Sequence, residues 1–124
     1  MPANKLVNIG PVALTNTLTT NVVNPPTLTG GVNPPTGSTN SYLILTHIRV
    51  VNKTGGAATF SFWLGATGGN IAGTEVIGTG LSVAANSAYD WYGRMRIDAS
   101  QFLVGGASAA TTLTFEAEGE IGVA

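Results

Sequence analysis

The sequence contains no cysteine and a single histidine, so disulfide bonds, thiolate metal sites and paired-histidine zinc sites are excluded. No apolar run approaches the roughly 20 residues that a membrane-spanning helix needs. The first residues lack the continuous apolar segment of a signal peptide. The net charge of −1 and the absence of a basic block argue against a nucleic-acid partner. We therefore expect a chain that is made in the cytoplasm and binds neither nucleic acid nor membrane.

Charge is also scarce. Only 9% of the 124 residues are Asp, Glu, Lys or Arg, compared with roughly 25% in an average soluble domain. Hydrophobic residues make up 44%, which is too many for a disordered chain. A free protein with so few charges is poorly protected against association. The composition fits either a Thr-rich soluble domain or, as we favour, a domain whose surface is covered by neighbouring subunits.

The residues that usually perform catalysis form no recognisable pattern. His47 lies within an apolar, β-branched segment, which favours a structural histidine with satisfied hydrogen bonds. There is no Gly-x-Ser-x-Gly nucleophile motif, and the glycine-rich stretches lack the Gly-Lys-Ser/Thr ending of a phosphate-binding loop. The sequence therefore predicts a protein that is not an enzyme and has no cofactor.

All six prolines precede residue 41. The five residues Val23–Thr27, with sequence VNPPT, recur as Val32–Thr36. Each Pro-Pro pair favours extended polyproline II geometry. Residues 1–40 are thus predicted to form an extended arm rich in Pro, Thr and Asn, with short strands around Leu6–Ile9 and Leu18–Val23. This segment is either a loose tail or an arm that lies along a neighbour.

From residue 41 to residue 124 the pattern predicts a β-sandwich domain. In Tyr42–Val51, alternation places one set of side chains on each face of a strand. One face is predicted to carry Tyr42, Ile44, Ile48 and Val50, and the other Leu43, Leu45, His47, Arg49 and Val51. The turn Asn52–Gly56 and the alternating segment Ala57–Leu64 follow. Together they indicate a β-hairpin.

The remaining segments predict more short strands and no long helix. Weak strands are expected at Thr74–Ile77 and Leu81–Ala84, and stronger ones at Ala88–Ile97 and Thr111–Val123. Gly93 within Ala88–Ile97 indicates either a bulge or a close backbone approach. Asp98–Leu103 is expected to form one helical turn and Gly105–Ala110 a loop. This pattern predicts an all-β fold, an antiparallel β-sandwich for which a jelly roll is the closest architecture. An immunoglobulin-like sandwich is the alternative.

Three glutamates alternate along the last predicted strand, at Glu116, Glu118 and Glu120. They project from one face about 7 Å apart and repel one another unless they are compensated. Arg94 and Arg96 have the same spacing and could pair with them, across the sheet or across a subunit contact. A solvated face and a calcium site are the alternatives, although no Asp-rich loop accompanies the row. We favour a charge-complementary contact.

Two aromatic residues, Trp63 and Tyr92, are candidates for intermolecular contact. Trp91 shares the predicted core face with Tyr89 and Met95, whereas Tyr92 faces outward. Trp63 lies on the face opposite Phe60 and Phe62, so it is either in a second layer or exposed. If Trp63 is exposed, it is either an interface anchor or, with Tyr92, a stacking platform for sugars.

The segment His47–Gly65, with its IRVVN strand, small-residue turn and ATFSFWLG strand, resembles small virion proteins of tailed bacteriophages. Ala84–Trp91 is similar to the stretch before the next core strand in that family. The resemblance extends from Tyr42 to Val123 and does not include the proline-rich arm.

This resemblance implies a jelly-roll cement, or decoration, protein that sits on the capsid surface of the virion and braces the major capsid protein, commonly as a homotrimer. A subunit of the tail or head–tail junction is the first alternative, and a carbohydrate-binding module the second. The candidate interface residues are Pro25, Pro26, Pro34, Pro35, Trp63, Tyr92, Arg94, Arg96, Glu116, Glu118 and Glu120.

Overall fold

A computed structural model describes residues 5–24, 42–98 and 101–122, which form eight β-strands and no helix. The strands are β1 (Lys5–Ala13), β2 (Asn21–Val23), β3 (Tyr42–Asn52), β4 (Ala58–Gly65), β5 (Glu75–Val83), β6 (Ser87–Ile97), β7 (Phe102–Ala107) and β8 (Leu113–Gly122). Sheet I has the strand order β1-β8-β3-β6, and sheet II has the order β2-β7-β4-β5. All neighbouring strands are antiparallel. This order is that of a jelly roll, which confirms the predicted all-β sandwich.

The core lies between the inner faces of the two sheets and is centred on aromatic side chains. Phe60 and Phe62 of β4 are almost completely buried, and Phe62 meets Phe115 of β8 edge-on, with ring centroids 5.6 Å apart. Phe60 also contacts Tyr89 of β6 at 5.5 Å. These contacts connect sheet II to sheet I. Edge-on and tilted arrangements are those that aromatic pairs favour.

The prediction that residues 42–64 form a β-hairpin is wrong. β3 pairs with β6 and β8 in sheet I, whereas β4 pairs with β5 and β7 in sheet II. The connection after Asn52 therefore crosses from one sheet to the other. Alternation and a glycine-rich turn identify two strands and a reversal of direction, but they do not specify whether the strands pair or pack face to face.

The predicted arm also needs correction over residues 5–24. β1 pairs with β8, and β2 pairs with β7, within the same chain. Val7, Ile9, Val22 and Val23 are buried in the core. These residues complete the sandwich instead of lying along a neighbour, because their apolar side chains cover one edge of the chain's own core. Pro25, Pro26, Pro34 and Pro35 lie outside the described residues.

A β-bulge at Thr46 changes which side chains of β3 face the core. The register shifts between Leu45 and His47 against both β6 and β8. Leu43, Leu45, Ile48 and Val50 all belong to the core cluster. The prediction assigned some core residues of β3 to each face, because it assumed unbroken alternation. A single extra residue reverses the alternation beyond it. The irregularity on β6 falls beside Gly93, since Leu45 pairs with Met95 and His47 with Tyr92, and this is the first of the two alternatives predicted for that glycine.

β7 occupies much of the region that was predicted to be a loop. It begins at Phe102 and is an interior strand of sheet II, paired with β2 and β4. A Cβ at Gly105 would lie 2.0 Å from the Ser61 carbonyl oxygen, and one at Gly106 would lie 2.6 Å from that of Thr15. These glycines permit close backbone approach instead of marking a turn. Within the predicted turn at 98–103, Gln101 N donates to the Asp98 carbonyl oxygen (3.1 Å) and Asp98 N donates to Gln101 Oε1 (3.0 Å), and Phe102 begins β7. Residues 99–100 lie outside the described residues.

The two weak strands predicted at 74–77 and 81–84 are one strand, β5, with an outward loop in its middle. Phe60 pairs with Leu81 and Phe62 pairs with Val76, so residues 77–80 stand opposite Ser61. The Ser61 hydroxyl accepts a hydrogen bond from Gly80 N at 2.8 Å. Such an irregularity in an edge strand hinders edge-to-edge pairing with another sheet.

Candidate functional site

The outer face of sheet I, called the charged face below, carries most of the charge of the chain. The protein has five Lys or Arg and six Asp or Glu residues. Strand alternation on β3, β6 and β8 directs most of them outward while their apolar neighbours enter the core. The charged side chains on this face are Arg49, Asp90, Arg94, Arg96, Glu116, Glu118 and Glu120.

The bulge at Thr46 places His47 and Arg49 in the middle of the charged face. His47 stands between Tyr92 of β6 and Glu118 of β8. Arg49 stands between Asp90 of β6 and Glu116 of β8 in the same way. β3 therefore inserts basic groups between two strands that carry carboxylates.

Both ring nitrogens of His47 contact carboxylates. Nε2 lies 2.7 Å from Asp90 Oδ1, and Nδ1 lies 3.1 Å from Glu118 Oε1. The Tyr92 ring stacks on the imidazole at 4.5 Å with an interplanar angle of 7°. His47 is thus a histidine with satisfied hydrogen-bonding atoms, as predicted, although its partners are charged. Only the doubly protonated ring donates to both carboxylates at once.

Asp90 is shared between two basic side chains. Its Oδ1 accepts from Arg49 Nε at 2.8 Å as well as facing His47. The hydrogen bond from Arg49, followed by that from His47, lowers the pKa of Asp90 below its usual value. The same Asp90 hydrogen bond and charge raise the pKa of Arg49. Asp90 thereby links β6 to β3 through ionised groups.

Replacement of Asp90 with asparagine is expected to destabilise the protein near neutral pH, with a deficit that shrinks in acid. Because the folded-state pKa is lowered, the ionised carboxylate favours folding above about pH 4, the unfolded-chain value. That contribution is lost as the pH falls through the lowered folded-state pKa. Urea midpoints of both proteins at neutral pH and at about pH 2 to 3 measure the change.

The matched control for this experiment is Asp98→Asn. Asp98 pairs with Arg96 at 2.7 Å, but the two side chains are 53% and 60% exposed. Water screens such a pair, so its loss has little effect. An Asp90→Asn deficit that is equal at both pH values would contradict an origin in the carboxylate charge.

The glutamate row has the predicted geometry but different neighbours. Glu116, Glu118 and Glu120 alternate with buried Ala117 and Gly119 and share the charged face. His47 and Arg49 on the adjacent β3 stand opposite Glu118 and Glu116. The matching two-residue spacing of these basic side chains was a usable signal in the sequence, but the pairing of β3 with β8 was not known.

Arg94 and Arg96 lie on the far side of β3, on the edge strand β6, and so are not placed opposite the glutamates. Arg96 Nε donates to Asp98 Oδ1, and its guanidinium lies 4.4 Å above the centre of the Tyr42 ring. Arg94 is exposed. The predicted pairing across the sheet is therefore replaced by contacts along the edge.

A shallow depression of about 430 Å³ opens in the charged face. It extends across all four strands, from Asn8 of β1 to Tyr92 of β6, with His47 and Arg49 between them. Glu116 and Glu118 complete its polar lining. The depression combines an aromatic ring, carboxylates, a guanidinium and an amide, which are groups that hydrogen-bond and stack with a polar ligand. Asn8 was not a candidate at the sequence level.

The two candidate aromatic residues differ in accessibility. Tyr92 is 71% exposed, whereas Trp63 is only 8% exposed. The condition for Trp63 as an interface anchor or sugar platform, exposure to solvent, is therefore not met. Of these two candidates, only Tyr92 presents an exposed aromatic surface.

Within residues 5–24, 42–98 and 101–122, no group of three or more His, Asp or Glu side chains is arranged to hold a metal ion. The same residues contain no helix that is long and apolar enough to cross a membrane.

No protein-family model and no curated protein sequence matches this chain. Among solved structures, Eiger TNF from S. frugiperda is similar with a TM-score of 0.47 and 11% identity, over 99% of this chain and 96% of that one. A chain of the T13 IBDV viral particle has a TM-score of 0.37 and 9% identity, over 69% of this chain and 23% of that one. The structure of the Gx strain of infectious bursal disease virus has a TM-score of 0.34 and 6% identity, over 98% of this chain and 26% of that one. This protein thus spans about a quarter of those two viral chains. The strand order, rather than these likenesses, assigns the jelly-roll fold.

Proposed function

We propose that the protein is a non-enzymatic structural subunit of a virus particle, specifically a cement protein on the capsid of a bacteriophage. The resemblance of residues 42–123 to small virion proteins of tailed phages provides the biological context. The observation that carries the proposal is the uneven distribution of charge: the charged face holds most of the ionised groups, and a large part of the remaining described surface has none.

The region with few charges includes a surface at the side of sheet II where two connections meet. They are residues 14–20, between β1 and β2, and residues 66–74, between β4 and β5; we call this surface the loop surface. The first connection runs along β7, since Ala107 N and Gly105 N donate to the carbonyl oxygens of Thr15 and Thr20.

The Asn21 side chain joins the two connections, since its Nδ2 donates to Thr67 Oγ1 at 2.9 Å and its Oδ1 accepts from Gly68 N at 2.8 Å. Glu75 adjoins this surface, and its Oε1 accepts from Gly73 N at 2.7 Å. The loop surface is therefore a defined region built from two connections.

The composition of the loop surface suits burial against a partner. Its exposed residues are mostly Thr, Asn, Ala and Gly, with two exposed large apolar side chains, Leu18 at 38% and Ile71 at 68%. Small side chains lose little conformational entropy on burial, and charged groups are depleted at the centres of protein interfaces. The loop surface is thus the proposed contact with the major capsid protein.

Ile71→Asp is expected to weaken binding to capsids by about tenfold or more, because a charge would be buried at the contact. The assay is co-sedimentation with particles of the phage that lack this protein. The control is Ala88→Asp, which places the same charge at an exposed position of β6, in the other sheet. Equal binding by both variants and the native protein would contradict the proposed contact.

Copy number separates the proposed location from the alternative one. A cement protein is present in hundreds of copies per virion, whereas a tail or head–tail junction subunit forms rings of about a dozen or fewer. We also propose a homotrimer, in which one heterologous contact is used three times and closes. Light scattering should then give a discrete oligomer, and an isolated monomer without affinity for capsids would overturn the cement role.

A further inference from the structure

We propose that the depression in the charged face binds a neutral saccharide of one or two rings, with Tyr92 as the stacking surface. This inference does not depend on the capsid role. Its basis is the combination of a rigidly held aromatic ring, opposed hydrogen-bonding groups and a local charge that disfavours anions.

Tyr92 is held in place although it is 71% exposed. Its ring lies nearly parallel to the His47 imidazole, which is itself fixed by Asp90 on one side and Glu118 on the other. A ring that is already oriented loses little conformational freedom when a ligand stacks on it. Because the His47 imidazole covers one face of the ring, the C–H groups of a sugar would pack on the other face, and the sugar hydroxyls would remain free to hydrogen-bond.

Donors and acceptors for sugar hydroxyls lie beside this ring. Arg49 lines the depression and uses Nε for Asp90, a contact that does not involve the two terminal nitrogens of its guanidinium, which are also donors. Glu116 stands opposite Arg49 and offers carboxylate oxygens as acceptors. The Asn8 amide supplies one group of each kind on the opposite wall. A hydroxyl both donates and accepts, which matches this mixed set.

Charge and size narrow the class of ligand. Asp90, Glu116 and Glu118 outnumber Arg49 and His47 around the depression, so phosphates and acidic sugars are disfavoured. The volume of about 430 Å³ lies at the lower end of the roughly 300–1,000 Å³ range of ligand sites. The polar lining is unsuited to an apolar ligand. A neutral mono- or disaccharide fits these constraints.

The test is a ¹H–¹⁵N NMR titration of the full chain with glucose, galactose, mannose, N-acetylglucosamine, cellobiose and lactose. At least one sugar should shift the amides around Asn8, His47 and Tyr92 in a saturable manner, with a dissociation constant of about 1 mM, as expected for a shallow site. Failure of every sugar to shift these amides at about 10 mM would overturn the proposal.

Variants show whether the proposed residues are responsible. Tyr92→Ala should weaken binding by about tenfold, whereas Tyr92→Phe should retain most of the affinity because the stacking surface is preserved. Glu116→Gln should weaken binding through loss of a charged acceptor. Arg94→Ala is the control, since Arg94 lies on the same strand but outside the lining of the depression. Equal shifts with Tyr92→Ala and the native protein would reject the site, as would saturable shifts produced only by calcium or spermine.

Discussion

Replacement of Gly119 with alanine is expected to remove most of the stability of the protein. Gly119 lies in the interior strand β8, between Val7 of β1 and Leu45 of β3. A Cβ there would lie 2.0 Å from the carbonyl oxygen of Ile44 and 3.0 Å from the Cα of Leu45. Backbone atoms in the middle of a paired sheet cannot move aside without breaking the ladder of hydrogen bonds. A loss of about 4 kcal/mol or more is a large part of the 5–15 kcal/mol that holds a typical domain together.

Gly56→Ala is the matched control. Gly56 lies in the connection between β3 and β4, and an added Cβ there meets nothing within 4 Å. Its effect should be within about 1 kcal/mol, because alanine only restricts the unfolded chain slightly more than glycine does. Urea unfolding followed by circular dichroism compares the two variants. Similar midpoints for Gly119→Ala and the native protein would mean that β8 and β3 do not approach as closely as described.

Asn52→Ala is expected to produce the second large loss, about 2–4 kcal/mol in the free energy of unfolding. Asn52 is completely buried at the end of β3. Its Nδ2 donates to the carbonyl oxygens of Gly56 and Val83 at 2.9 and 3.0 Å, and its Oδ1 accepts from Thr54 N at 2.9 Å. Asn52 therefore joins the connection between β3 and β4 to the end of β5 through hydrogen bonds. Alanine would remove the side-chain partners of Thr54 N and of the Val83 carbonyl, which is buried and has little access to water, whereas the Gly56 carbonyl would keep its bond from Thr54 Oγ1.

Asn70→Ala serves as the control, since Asn70 is exposed in the connection between β4 and β5. Its effect should be within about 0.5 kcal/mol. Asn52→Asp adds a stricter test, because aspartate has the same shape but loses the Nδ2 donors and buries a charge. Denaturant unfolding of all three variants gives the comparison. Stability close to native for Asn52→Asp would show that shape, and not hydrogen bonding, is what the site requires.

The two proposals use separate surfaces. The proposed capsid contact lies at the loop surface, whereas the proposed saccharide site lies on the charged face of sheet I. Ile71 lies in the connection between β4 and β5 of sheet II, and Tyr92 lies on β6 of sheet I, so each can be changed without altering the other site. Loss of capsid binding with sugar binding intact, or the reverse, would show that one proposal holds independently of the other.

Local composition and alternation were sufficient to predict the fold class and several exposed faces. The outward row of Glu116, Glu118 and Glu120 agrees with the prediction, and the bulge near Gly93 is one of its two alternatives, since each depends on residues close in the chain. The short strands predicted within residues 6–9 and 18–23 also exist as β1 and β2. Period-two alternation is a property of a single strand, so it predicts where a strand lies and which side chains share a face.

Pairing between strands was decided only by the tertiary structure. A crossing connection and a hairpin turn have similar residues, so the placement of β3 and β4 in different sheets left no local signal. The Thr46 bulge exchanged the faces of β3 and thereby brought His47 between Asp90 and Glu118. In the sequence, Gly105 is typical of a loop. Only the tertiary structure shows that it lies against the Ser61 backbone. These contacts join residues far apart in the chain, and their energies depend on distances that exist only once the two sheets have come together.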